Sequence, residues 1–152
     1  MVSPEVVEQS VREVLETAAG SPVVSAAVCG PDGQRFEGVV GMVGFSGGRT
    51  GTLVVYCEPG VATQIASGML GMSPEEVDPG LLADAIGELV NQIGGTLKRR
   101  LAATSDGEFA LSVPSVACGS AVRVTVVANV TPVGLEVRIG AGPVHVRLWL
   151  SA

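Results

Sequence analysis

Residues 79–102 read PGLLADAIGELVNQIGGTLKRRLA, and apolar side chains recur along them with the spacing of an α-helix. At about 100° per residue, these apolar positions fall on one broad face. They are Leu82, Ile86, Leu89, Val90, Ile93, Leu97 and Leu101. Asp78 followed by Pro79 combines an N-cap with a proline at the first helical position. The sequence therefore predicts a long helix from Pro79 to about residue 102, with one buried face.

The opposite face of this helix is polar and collects Asp84, Glu88, Asn91, Gly95 and Lys98. Glu88 and Asn91 are three residues apart, so helical geometry places them side by side and pointing outward. A rigid element presents two such groups with more precision than a loop would. Glu88 and Asn91 are therefore the candidate functional pair.

Three glycines, Gly87, Gly94 and Gly95, interrupt the same helix, although each costs about 1 kcal/mol relative to alanine. Gly87 and Gly95 flank the polar pair, where bare backbone would let a partner approach closely. Close packing of neighbouring elements explains Gly94 equally well. We expect Asp84, Gly87, Gly95 and Lys98 to contact a binding partner.

The segments on either side of this helix alternate between strand and helix patterns. A capped helix begins at Pro4, and another runs from about residue 59 to residue 70. Period-2 patterns predict strands at 23–28, 36–45, 50–57, 109–113, 121–130, 134–139 and 144–150. The sequence PDG at residues 31–33 predicts a turn.

This order of elements predicts an α+β fold, with helices packed on a mainly antiparallel sheet. Short loops between strands favour meanders over parallel crossovers. The two parts of the chain resemble loosely duplicated helix–three-strand units. No linker divides residues 1–152, which we interpret as a single domain.

Composition excludes several classes of function. The net charge is −6 and the nine Lys and Arg residues are spread thinly, which argues against nucleic-acid binding. No apolar run reaches the ~20 residues that a membrane span needs. Three cysteines without paired spacing and a first segment without a secretory pattern favour a cytoplasmic protein. No metal-ligand spacing is present. His145, on a polar strand face, has no catalytic partner identifiable from sequence.

The segment from Asp84 to Gly95, DAIGELVNQIGG, resembles the signature of the CheX-like phosphatases, which are related to CheC and FliY. The resemblance extends to MLGM at residues 69–72 and to LSVPSVACG at residues 111–119. It thus covers most of the chain. Its specificity comes from this context, because a bare E-x-x-N is a weak motif.

The resemblance implies a phosphatase that hydrolyses the aspartyl phosphate of a CheY-like receiver domain. Asn91 would orient the attacking water, and Glu88 would pair with the receiver's lysine. The magnesium ion would belong to the receiver, so this chain need hold no metal or cofactor. Relatives commonly form dimers by joining sheet edges, which makes a homodimer our expectation.

Two departures from the family pattern stand out. Thr96 occupies the position where many relatives have asparagine. The first helix carries Glu13 and Glu16 instead of a second E-x-x-N, so we expect one site instead of two. The alternatives are a receiver-binding module without catalysis and a dimeric scaffold whose polar helix face is only solvated.

Overall fold

The computed structural model describes residues 2–30, 36–104, 107–126 and 129–151. Its elements are α1 (Pro4–Thr17), β1 (Val23–Cys29), β2 (Phe36–Gly47), β3 (Gly51–Cys57), α2 (Pro59–Leu70), a 3-10 turn (Pro74–Glu76), α3 (Pro79–Ala102), β4 (Phe109–Leu111), β5 (Ser115–Val122), β6 (Val133–Ile139) and β7 (Gly142–Leu150). The three predicted helices are confirmed. Each begins at a proline, and the Asp78 carboxylate caps α3 by accepting from the Leu81 amide. The turn predicted at residues 31–33 lies outside the described residues.

The seven strands found in the described residues form one sheet, and their pairings are antiparallel. The order is β1-β6-β7-β3-β2, and the far side of β2 pairs with both β5 and β4. The hairpin β2–β3 therefore lies beside the hairpin β6–β7. The first strand of each half pairs with the hairpin of the other half. This arrangement confirms the α+β prediction and its loose duplication.

The helices and one face of the sheet enclose the main core. Most of the predicted apolar positions of α3 are fully buried, and Leu82 is partly buried against the same cluster. No helix in the described part of the chain combines the length and apolar content required to cross a membrane.

The approach of α3 to the sheet is close because β2 has a glycine beneath it. A Cβ placed on Gly41 would lie 3.1 Å from Ile86 Cγ2 and 3.3 Å from Val90 Cγ1. Both distances are tighter than ordinary contact, so a side chain at this position would push Ile86 and Val90 aside by a few tenths of an ångström. Gly41 thus permits the close packing of α3 on the sheet.

The strand predicted at 121–130 is wrong over most of its length. The strand found here is β5, from Ser115 to Val122, and residues 123–126 are not in a strand. Val122 and Val124 nevertheless pack against a second small cluster on the other face of the sheet. Beyond Val122, the alternation therefore reflects burial of one face without strand pairing. β5 escaped detection because most of its residues are small and exposed.

His145 belongs to that second face, which we call the outer face. Its ring stacks on the ring of Tyr56, its partner across the β3–β7 pairing, with centroids 4.7 Å apart. Burial lowers the pKa of His145 from its ordinary value, and the nearby Glu136 opposes this shift without reversing it.

We expect His145 to make the fold less stable below its ordinary pKa of 6.5. Because the folded-state pKa is lowered, the unfolded chain takes up a proton first as pH falls, and the free energy of unfolding decreases. His145→Phe keeps a ring on Tyr56 but cannot bind a proton. Urea denaturation at pH 7.5 and pH 5.5 should show a smaller pH-dependent loss in the variant, and equal losses would contradict the expectation.

Candidate functional site

The candidate residues lie along one side of α3, turned away from its buried face. Asp84 and Glu88 are exposed, while Asn91, Gly95 and Lys98 are partly exposed. Burial of Ile86, Leu89 and Ile93 fixes the rotation of the helix about its axis. The predicted pair therefore faces solvent because the opposite face is committed to the core.

Glu88 has a partner that the sequence analysis did not identify. The Gln92 side-chain amide donates a 2.9 Å hydrogen bond to Glu88 Oε1. The two residues are one helical turn apart, a spacing that could have revealed the contact. This bond restrains the carboxylate and leaves its other oxygen available to a binding partner.

The Asn91 side chain makes no hydrogen bond within the part of the chain that the structure describes. Its amide is partly exposed and offers a carbonyl acceptor and two N–H donors in one plane. Such a group can hold a water molecule by accepting or donating one hydrogen bond. It can thereby fix the direction from which that water approaches a reacting group.

Gly87 is buried, and a Cβ added there would meet Val116 Cγ2 at 3.5 Å and Pro114 Cγ at 3.9 Å, which are ordinary contact distances. The backbone at Gly87 is therefore less bare than expected, and its contact with a partner stays a prediction. Gly94 is a packing residue, because its Cβ would lie 3.1 Å from Val43 Cγ1. Gly95 differs from both, since a Cβ there would meet no atom within 4 Å.

Thr96, Glu13 and Glu16, where the sequence departs from the family pattern, all make contacts within the chain. Thr96 is buried, and its hydroxyl accepts a 3.2 Å hydrogen bond from Arg99. The Glu13 carboxylate of α1 pairs with Arg99 and Arg100, each at 3.8 Å. Glu16 accepts a hydrogen bond from the Val23 amide. Glu13 and Glu16 are thus both engaged within the chain, in contrast to the side-chain amide of Asn91.

We call the side of α3 that carries Asp84, Glu88, Asn91, Gly95 and Lys98 the α3 stripe. Its charged groups are two carboxylates, Asp84 and Glu88, and one ammonium group, Lys98. In the described residues, no group of three or more His, Cys, Asp and Glu side chains is placed to hold a metal ion.

A family model described as "Chemotaxis phosphatase CheX" matches residues 39–138, more than half of the 152-residue chain. Solved structures with the same fold include the chemotaxis protein CheX from Desulfovibrio desulfuricans, with a TM-score of 0.84, 22% identity and 97% of each chain covered. The CheX–CheY–BeF3–Mg²⁺ complex from Borrelia burgdorferi gives 0.81, 17% and 97% of each chain. A search of curated proteins finds no match. These likenesses confirm the fold expected from the family resemblance.

The neighbouring glycines of α3 provide a matched test of its packing. Gly94→Ala and Gly95→Ala gain the same helix propensity, about 1 kcal/mol. We expect Gly95→Ala to raise the free energy of unfolding by about that amount, because its Cβ enters open space. Gly94→Ala should be less stable than Gly95→Ala by at least ~1 kcal/mol, because Val43 must move. Urea denaturation measures both, and equal stabilities would refute the close packing at Gly94.

Proposed function

The chain belongs to the CheX family of chemotaxis proteins, and from this premise we propose that it hydrolyses the aspartyl phosphate of a CheY-like receiver domain. The observation that carries the proposal is the Glu88–Asn91 pair on the solvent side of α3. The Borrelia burgdorferi complex, in which CheX is found with CheY, beryllofluoride and Mg²⁺, supports the choice of partner.

The chemistry of an acyl phosphate suits so small a site. Its hydrolysis requires a water molecule held in line with the phosphorus atom, and positioning supplies most of the rate enhancement. In our proposal the Asn91 amide holds this water. The free oxygen of Glu88 pairs with a lysine of the receiver and sets the register between the two proteins.

The remaining parts of the site would serve recognition. Asp84 and Lys98 lie on the same stripe and would contact the receiver, and Gly95 leaves space for its backbone. The Mg²⁺ ion of the reaction would be the receiver's own, with no cofactor held by this chain. A receiver partner also implies that the protein works in the cytoplasm.

The rival function is binding without catalysis, in which the same face docks on a receiver and leaves the phosphate untouched. Phosphate release from a phosphorylated receiver separates the two proposals. A rate unchanged from the spontaneous value, with binding retained, would establish the rival.

We expect Asn91→Ala to lower the dephosphorylation rate at least ~100-fold, because the attacking water loses its orienting group. Binding to a beryllofluoride-loaded receiver should change little. Asn129→Ala replaces another asparagine, exposed and outside the helices, and is the matched control. Substantial turnover by Asn91→Ala would refute the assigned role.

Glu88→Ala should weaken binding and turnover together, since Glu88 sets the register of the complex. Titration calorimetry with the loaded receiver, beside the rate assay, measures both quantities. A variant that kept wild-type affinity and rate would exclude Glu88 from the site.

We further propose that the protein forms a homodimer through a sheet edge. β1 ends the described strand order and exposes Val24 and Val28, with 73% and 67% of their surfaces accessible. Exposed strand edges are ready templates for pairing. Sedimentation velocity over a range of concentrations tests this, and a monomer at every concentration would exclude it.

A further inference from the structure

Val113 is the most exposed of the large apolar residues described, with 86% of its surface accessible. It lies in the short connection between β4 and β5, which we call the 112–114 connection. Single exposed apolar residues are common on protein surfaces and need no special explanation. Val113 differs from such residues in how firmly its backbone is held and in what lies beside it.

The 112–114 connection is held firmly against β2 by Ser112. The Ser112 hydroxyl accepts from the Gly44 amide at 2.8 Å, and the Ser112 amide donates to the Gly44 carbonyl at 2.9 Å. The hydroxyl also approaches the Val113 carbonyl at 3.2 Å. Ser112 thus fills the gap in the ladder between the β4 and β5 pairings, and it fixes the backbone that carries Val113.

The same connection runs alongside the candidate site. Leu111 lies 3.5 Å from a Cβ placed on Gly94, and Pro114 lies 3.9 Å from one placed on Gly87. These glycines are separated by about 10 Å along the helix axis and by only ~20° around it. Residues 112 and 113 lie between these two contact points. Along the axis of α3, they are therefore level with Asn91.

Rotation about the helix axis brings the pair close to this connection. At about 100° per residue, Asn91 lies only ~40° from the line that contacts the connection, and Glu88 lies ~100° from it. Asn91 is therefore between Val113 on one side and Glu88 on the other. A protein that bound to the Glu88–Asn91 pair would also contact the 112–114 connection.

We propose that Val113 is an apolar contact for the receiver domain, at the Asn91 side of the catalytic pair. This inference rests on the proposed function and names a surface that the E-x-x-N motif does not include. Polar groups such as Asp84, Glu88 and Lys98 confer register and specificity more than affinity. A few central positions carry most of the affinity of an interface, and its fully buried centre is more apolar and less charged than its rim. Val113 is exposed, lies beside the pair and has a backbone held in place by Ser112, so it can supply an apolar contact at the centre of such an interface.

The test compares Val113→Asp with Ala141→Asp. Both residues are exposed, but Ala141 lies in the turn between β6 and β7, which β3 and β2 separate from β4 and β5. The probe is a receiver loaded with beryllofluoride and Mg²⁺ for affinity, and the phosphorylated receiver for turnover. Val113→Asp should raise both Kd and KM about tenfold or more and leave kcat unchanged, whereas Ala141→Asp should change none of them.

Val113→Leu provides the conservative comparison and should keep wild-type Kd. Melting temperatures should be equal across these exposed-site variants, and sedimentation velocity reports their oligomeric state. If Val113→Asp shifts only the oligomeric state, the surface belongs to a second copy of the chain and the proposal is overturned. Equal affinities for the two aspartate variants overturn it as well.

The same measurements distinguish a failure of the phosphatase proposal from a failure of the Val113 proposal. If the wild-type protein binds the loaded receiver but does not speed phosphate release, the phosphatase proposal fails, and the affinity comparison still decides the role of Val113. If it releases phosphate normally and Val113→Asp binds like Ala141→Asp, only the Val113 proposal fails.

Discussion

The close packing of α3 on β2 is the constraint on which the site depends. Gly41 of the strand and Gly94 of the helix remove the side chains that would hold the two elements apart. The apolar face of α3 then fills the space with Ile86, Val90 and Ile93, all fully buried. Because a buried face of this breadth permits one rotation of the helix, the direction of Glu88 and Asn91 is decided by residues that never touch a ligand.

Rigidity of this kind suits the chemistry expected of the family. In the proposed reaction, a water molecule held for in-line attack needs an amide whose position varies little, and α3 would supply it from the middle of a helix with one buried face. Gln92 adds local order by holding one oxygen of Glu88. The C-terminal end of α3 is tied to α1 through the pairs that Arg99 and Arg100 form with Glu13. These exposed pairs contribute little stability individually, but they engage the acidic group that a second site on α1 would require.

The sequence predicted the elements that carry a strong period and missed those that do not. α3 was predicted closely because its apolar face and its Asp78–Pro79 start are both explicit. β5 was placed wrongly because the apolar alternation continues past its last residue, Val122, to Val124, which packs on the outer face without joining the ladder. Gly87 was misread for a related reason. Helical spacing gives the direction of a residue but does not show that Pro114 and Val116 cover it. Contacts between distant segments cannot be read from local pattern.

The exchange of strands between the two halves of the sheet has a consequence for how the chain acquires its structure. β1 pairs with β6, joining residues as far apart as Val23 and Ile139, and β7 lies between β6 and β3 near the middle of the sheet. β7 is also later in the chain than every other strand described. Closing loops of this length is slow, because the entropy cost comes before any contact compensates it. On the ribosome, the N-terminal strands must therefore wait, with their edges open, until β6 and β7 have been synthesised.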